Sequence, residues 1–168
     1  MLGHNYQAAR SAIQPVYKPA YDILPFSGII ACRQAGESVP FMAGRRMYGH
    51  IGRLILAPET GIKRIVALGG QPSRTQFEPL EYSKDYTLLE LLLHTGRTHQ
   101  IRAHMAYIGH PLYGDWLYGR EFSGGIERPA LHSAHLELIH PLNKRALEFD
   151  APMPEDMLAL LERLRVQK

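Results

Sequence analysis

The chain has 168 residues, 45% of them hydrophobic, with a net charge of +3 and a pI near 9.1: one domain with enough material for a core, and a mildly basic surface compatible with an RNA partner. No apolar run approaches the roughly eighteen residues of a membrane span, so a globular chain without membrane contact is expected. The lone Cys32 excludes an intrachain disulfide and a cysteine zinc cluster, and the N-terminus lacks the apolar core of a secretion signal, which predicts a cytoplasmic protein.

Residues 1–20 carry Pro15 and Pro19 and little periodicity, so they read as an irregular lead-in with a short strand near 15–18. Residues 27–32 (SGIIAC) have strand character, with Cys32 as a small core residue, and residues 34–46 are polar and loop-like. An apolar patch at 49–58 ends at Pro58, and residues 58–61 have turn composition. Residues 62–68 alternate as a half-buried strand would, and residues 73–82 do the same. Ser83, Lys84 and Asp85 then form a hairpin turn into residues 87–93. That last run, TLLELLL, is apolar enough for a strand buried on both faces.

At residue 93 the aliphatic run stops at a basic, histidine-rich turn. Ile101, Met105 and Ile108 then recur at helical spacing, and Gly109 followed by Pro111 supplies a stop. Thr95 or Thr98 is expected to cap this helix. Gly96 lets the backbone turn sharply or approach a ligand, and Arg97 and Arg102 bring two cations to the helix end that already favours an anion. Ordinary solvated arginines are the alternative. Further on, residues 135–139 and 145–150 read as a strand pair with Leu136, Leu138, Leu147 and Phe149 inward. Pro154 opens a helix whose apolar stripe is Met157, Leu160, Leu161 and Leu164.

Three blocks occur in order: Gly96-Arg97-Thr98-His99-Gln100-Ile101-Arg102-Ala103-His104, then Gly109-His110-Pro111, then Gly114-Asp115-Trp116-Leu117-Tyr118-Gly119. Together they resemble the C-terminal signature of the RluA-type RNA pseudouridine synthases, G-R-T-H-Q-I-R-x-H, G-x-P and G-D-x-x-Y-G. Residues 130–141 and 149–154 resemble two further family segments, so the resemblance runs from about Lys63 to the C-terminus. It implies an α+β fold, a mixed and mainly antiparallel sheet flanked by helices, with part of the N-terminal half missing. It also implies isomerisation of uridine to pseudouridine in rRNA or tRNA, without a cofactor, by one monomeric domain spanning residues 1–168, of which residues 1–60 are atypical.

In that family an aspartate is the nucleophile, an arginine pairs with it and a tyrosine lines the base pocket. The guanidinium keeps the carboxylate ionised in a closed cleft, and the base is flipped out of its RNA context. The resemblance carries the arginine to Arg97, and the motif to Thr98, His99, Gln100, Arg102 and His104 as RNA-binding or cleft-wall residues. For the two histidines a structural role in turn and helix is the alternative. Asp115 and Tyr118 are expected to hold the loop after the helix.

The family's H-R-L-D-x-x-T-S-G is not matched cleanly. The nearest stretch, residues 20–30, supplies Asp22 with Ser27-Gly28 after it, and Arg46-Met47-Tyr48 resembles the basic-x-Tyr motif. Asp22 and Tyr48 therefore complete the expected catalytic set. A competing alignment takes Lys18-Pro19-Ala20 as an earlier family strand, which deletes the catalytic loop and leaves a module that holds RNA without chemistry. A metal-dependent hydrolase, suggested by nine histidines, is disfavoured: His99 and His104 are five apart, without the register of H-E-x-x-H, so no metal site is expected.

Overall fold

The computed structural model describes residues 26–33, 49–51, 55–56, 61–82, 86–119 and 125–166. Within them the chain forms β1 (Phe26–Arg33), β2 (Gly49–Ile51), β3 (Ile55–Leu56), β4 (Arg64–Ile65), β5 (Thr75–Tyr82) and β6 (Tyr86–Leu93). Helix α1 (Gln100–Tyr107), strands β7 (Leu131–Ile139) and β8 (Ala146–Asp150), and helix α2 (Glu155–Val166) follow.

Six strands make one sheet in the order β2-β5-β6-β1-β7-β8, and β3 pairs with β4 in a separate two-stranded sheet. Every pairing among the described residues is antiparallel, so the expected mixed sheet is here wholly antiparallel. The α+β class stands.

β6 sits in the middle because it can be covered on both sides: every residue from Tyr86 to Leu92 is buried. Strand alternation sends Tyr86 and Leu88 to one face, where Met157, Leu160, Leu161 and Leu164 of α2 close a core with Tyr113 and Ile126. Leu89 and Leu91 go to the other face and meet Phe77, Ile101, Met105 and Leu112. Among the described residues one helix thus covers each face, and each contributes apolar residues that its spacing predicted.

β5 carries Pro79, which cannot donate to a ladder. Among the described residues β2 pairs only with Thr75 to Phe77, short of Pro79, and the β5–β6 register slips between Pro79 and Glu81. The strand predicted at 62–68 shrinks to Arg64–Ile65, because Lys63, Ile65 and Ala67 all remain exposed and alternation has no face to bury. The β7–β8 pair forms as expected, but its leucine face is not interior. Leu136 lies opposite Phe149 and Leu138 opposite Leu147, yet Phe149 is 53% exposed. These residues cover one another across an edge hairpin, and neither core cluster includes them.

Candidate functional site

Between β6 and α1 the chain turns through residues 94–99. Arg97 and Thr98 are exposed, and α1 starts after His99, whose φ of 56° and ψ of 19° put it in the left-handed region. A histidine tolerates that conformation better than a branched residue does. Neither threonine caps the helix, contrary to expectation. Instead the Gln100 amide donates to the Arg97 carbonyl at 3.0 Å, and the Ala103 amide to the His99 carbonyl at 2.9 Å. A cap of the usual kind needs an extended cap residue, and His99 is not one.

Gln100 and His104 point inward. Gln100 is 3% exposed and its amide group makes four bonds: Oε1 accepts the Thr95 hydroxyl (2.8 Å) and the Arg97 N–H (3.1 Å), while Nε2 donates to the Arg74 carbonyl (3.1 Å) and the Thr75 hydroxyl (3.0 Å). The Thr95 hydroxyl also accepts the Arg74 N–H at 2.8 Å. His104 is fully buried; Nδ1 lies 2.9 Å from the Thr75 hydroxyl and Nε2 3.5 Å from that of Ser73. Burial pushes its pKa down to about 4, so the ring is neutral at ordinary pH.

Arg102 is likewise turned to the protein. Its Nε and Nη2 donate to the two oxygens of Asp115 at 2.8 and 2.7 Å, a bidentate pair in which the aspartate side chain is fully buried. The hydrogen-bonded carboxylate raises the arginine's pKa further. Asp115 Oδ1 also accepts the Leu117 and Tyr118 amides at 3.2 and 3.1 Å, folding the segment back. Tyr118 then lies with its ring centre 5.1 Å from the Arg102 guanidinium, and its hydroxyl accepts the Arg64 N–H at 2.6 Å, which docks β4. His99 Nδ1 is 3.3 Å from the same hydroxyl. Burial, then the Arg102 charge, depress the pKa of His99.

The far end of α1 closes in a Schellman arrangement: Gly109, at φ 86°, donates to the Ala106 carbonyl (3.1 Å) and His110 to that of Met105 (2.9 Å). Gly114 is required by space as well as by its φ of 69°, since a Cβ there would stand 2.1 Å from the Arg128 carbonyl oxygen.

Of the expected RNA-binding residues, then, only Thr98 stands exposed beside Arg97. Gln100 and His104 belong to the interior, and Arg102 and His99 are held by Asp115 and Tyr118. These four were expected at the cleft wall or on the RNA backbone; the structure buries Gln100 and His104 against the sheet and leaves His99 and Arg102 half-buried in contacts with the loop after α1. Asp115 and Tyr118 do hold the loop. The roles of Gln100, Thr75 and Ser73 escaped the sequence, because nothing in the spacing between the start of β5 and α1 announces that they meet. Asp22 and Tyr48 lie outside the described residues. His99 and His104 face different partners. Among the described residues the group able to hold a metal ion is His135, Glu137 and Glu148 on the β7–β8 hairpin, and it includes neither His99 nor His104.

The sheet with a helix on either face is the fold of pseudouridylate synthase domains. The human RNA pseudouridylate synthase domain containing 1 superposes with a TM-score of 0.60 over 97% of this chain and 70% of its own, at 21% identity. Residues 56–107 match the family model described as RNA pseudouridylate synthase. An uncharacterised RNA pseudouridine synthase of Bacillus subtilis is 49% identical over 62% of this chain and 37% of its own length. The ribosomal large subunit pseudouridine synthase D of Haemophilus ducreyi is 45% identical over 57% and 34%. The matched part of this chain is similar to RNA pseudouridine synthases, the family that its sequence motifs resemble. The chain spans about a third of the length of the curated relatives it matches.

Proposed function

We propose that this chain is an RNA pseudouridine synthase domain that isomerises uridine to pseudouridine in ribosomal or transfer RNA, with Asp22 as nucleophile, Arg97 as its ion-pair partner and Tyr48 lining the base pocket. The observation that carries the reading is the contrast within one motif: the frame around the turn is committed to internal bonds, while Arg97 and Thr98 are left exposed. An outward guanidinium on a braced turn is suited to hold a carboxylate and an RNA phosphate. Gly96 fits the same role. Its φ lies outside the left-handed region and a Cβ would meet nothing within 4 Å, so the chain's own packing does not demand a glycine, and the bare backbone leaves room for a ligand.

Chemically, the carboxylate bonds to the sugar carbon as the glycosidic N1–C1′ bond breaks, the freed base turns and its C5 displaces the carboxylate, and the C5 proton is lost while N1 gains one, so no redox partner or cofactor is called for. The protein acts in the cytoplasm as a single copy in this reading. The name of the Haemophilus ducreyi relative makes large-subunit rRNA the first substrate to try.

The test is to map pseudouridines in cellular RNA with and without the protein, and then to compare Asp22→Ala with the unaltered chain in vitro. The expected result is loss of one or a few sites and recovery only by the unaltered chain, with RNA still bound by Asp22→Ala. The departure of residues 20–30 from the family's aspartate motif favours a second reading, an RNA-binding module without chemistry. Under it, the Asp22→Ala change is silent and no pseudouridine site disappears.

A further inference from the structure

Gln100 is nine-tenths buried, sits three residues after Arg97 and has all four hydrogen-bonding positions of its amide occupied, two of them by the turn and two by the start of β5. A glutamine placed only to fill space would need no such set. Its Oε1 accepts the N–H of Arg97 itself, and the Thr95 hydroxyl on the other side of Gly96 ends on the same oxygen. Both flanks of the glycine are therefore gathered onto one atom. The Nε2 side anchors that atom to Arg74 and Thr75, which pair with β6 through Thr75 opposite Leu93.

We infer that Gln100 is a positioning residue, a buried clamp that sets the backbone of the turn carrying Arg97 against β5 so that the guanidinium is presented in one geometry. The inference rests on the proposed function for its catalytic meaning, and on the geometry alone for its structural meaning. A side chain with two acceptor bonds on one end and two donor bonds on the other tolerates no ready substitute. Glutamate cannot donate to Arg74 and Thr75, and leucine can make none of the four bonds.

The test compares Gln100→Leu with the unaltered full chain in two ways. Amide hydrogen exchange at Arg97 should rise at least about tenfold in the variant, while the β6 amides stay protected. Single-turnover conversion of uridine should slow by about a hundredfold, the scale expected when a reacting group is misplaced by about an ångström, with a much smaller loss of RNA affinity. In an Arg97→Lys background the further loss from Gln100→Leu should nearly vanish, since both changes act on one group.

Should Gln100→Leu fail to fold, Thr95→Val removes one bond to the same oxygen and should show smaller changes of the same kind, with Thr95→Ser restoring both readouts. Unchanged exchange at Arg97 overturns the inference whatever the activity. An equal rate loss in both backgrounds overturns the claim that Gln100 acts through Arg97. An unaltered chain that makes no pseudouridine counts against the proposed function, and the exchange measurement then decides the clamp by itself.

Discussion

Two arginine–aspartate pairs in this molecule are nearly identical in geometry and opposite in setting. Arg102 and Asp115 meet through two bonds of 2.8 and 2.7 Å, and Arg128 and Asp156 through two of 2.7 Å. The Arg102 and Asp115 side chains are 15% and 0% exposed, whereas those of Arg128 and Asp156 are 41% and 43% exposed. The first pair braces the loop after α1 beside the candidate site, and the second ties the segment before β7 to the start of α2. Distance does not rank them. What ranks them is what happens to the remaining charge when one partner goes: Arg128 falls back on water, and Arg102 is left with a desolvated guanidinium beside a tyrosine ring.

The largest effect is therefore expected at Asp115. Asp115→Ala removes the bidentate partner and the acceptor for the Leu117 and Tyr118 amides, and should cost about 3–5 kcal/mol. A urea unfolding curve reads this as a lower midpoint at an unchanged slope. Because Tyr118 carries the contact to Arg64, the β3–β4 sheet should lose protection from exchange before the six-stranded sheet does. A loss below about 1 kcal/mol would place this pair with the surface class and dissolve the contrast.

A second, smaller effect comes from His104, which is buried next to hydroxyls instead of a carboxylate. Its pKa is about 4 in the folded protein against 6.5 for the ordinary side chain. Between those values the unfolded chain binds the proton and the folded one does not, so this residue makes stability rise with pH through that window. Its contribution is present above pH 6.5 and is lost as the pH falls towards 4, about 3 kcal/mol in all. Unfolding curves at pH 7 and pH 4.5 should show the difference, and His104→Gln should flatten it. A slope that survives the substitution assigns the dependence to other groups.

The sequence made the frame of the molecule readable and the wiring of the site less so. β6 declared itself through an uninterrupted apolar run, α2 through Met157, Leu160, Leu161 and Leu164, and the stop of α1 through Gly109. These are local signals set by periodicity and backbone conformation. The direction of Gln100, Arg102 and His104 depends on partners at Thr75, Asp115 and Ser73, from thirteen to thirty-one positions away along the chain. Family likeness marks such residues as a group without saying which face outward. His99 escaped for a different reason, since no composition rule puts a histidine in the left-handed region at a helix start. The hairpin leucines misled because alternation identifies a face and cannot say whether another element covers it.

The smallest effect is the one that sharpens the contrast most. A double-mutant cycle on Arg128 and Asp156 should give a coupling of about 0.5 kcal/mol, falling towards zero at molar salt, because both charges are hydrated and screened. The single Arg128→Ala change should cost more than that coupling, since Arg128 Nη1 also donates to the Pro129 and Leu131 carbonyls at 3.2 and 3.0 Å. Asp156→Ala should cost something beyond it too, because Asp156 lies in the first turn of α2 where a negative charge is favoured. The same cycle on Arg102 and Asp115 should return a several-fold larger coupling that salt hardly moves, since a pair sealed from solvent is screened little. Equal salt dependence in the two cycles would mean that water reaches Asp115, and the rigid bracing assigned to the loop after α1 would go with it.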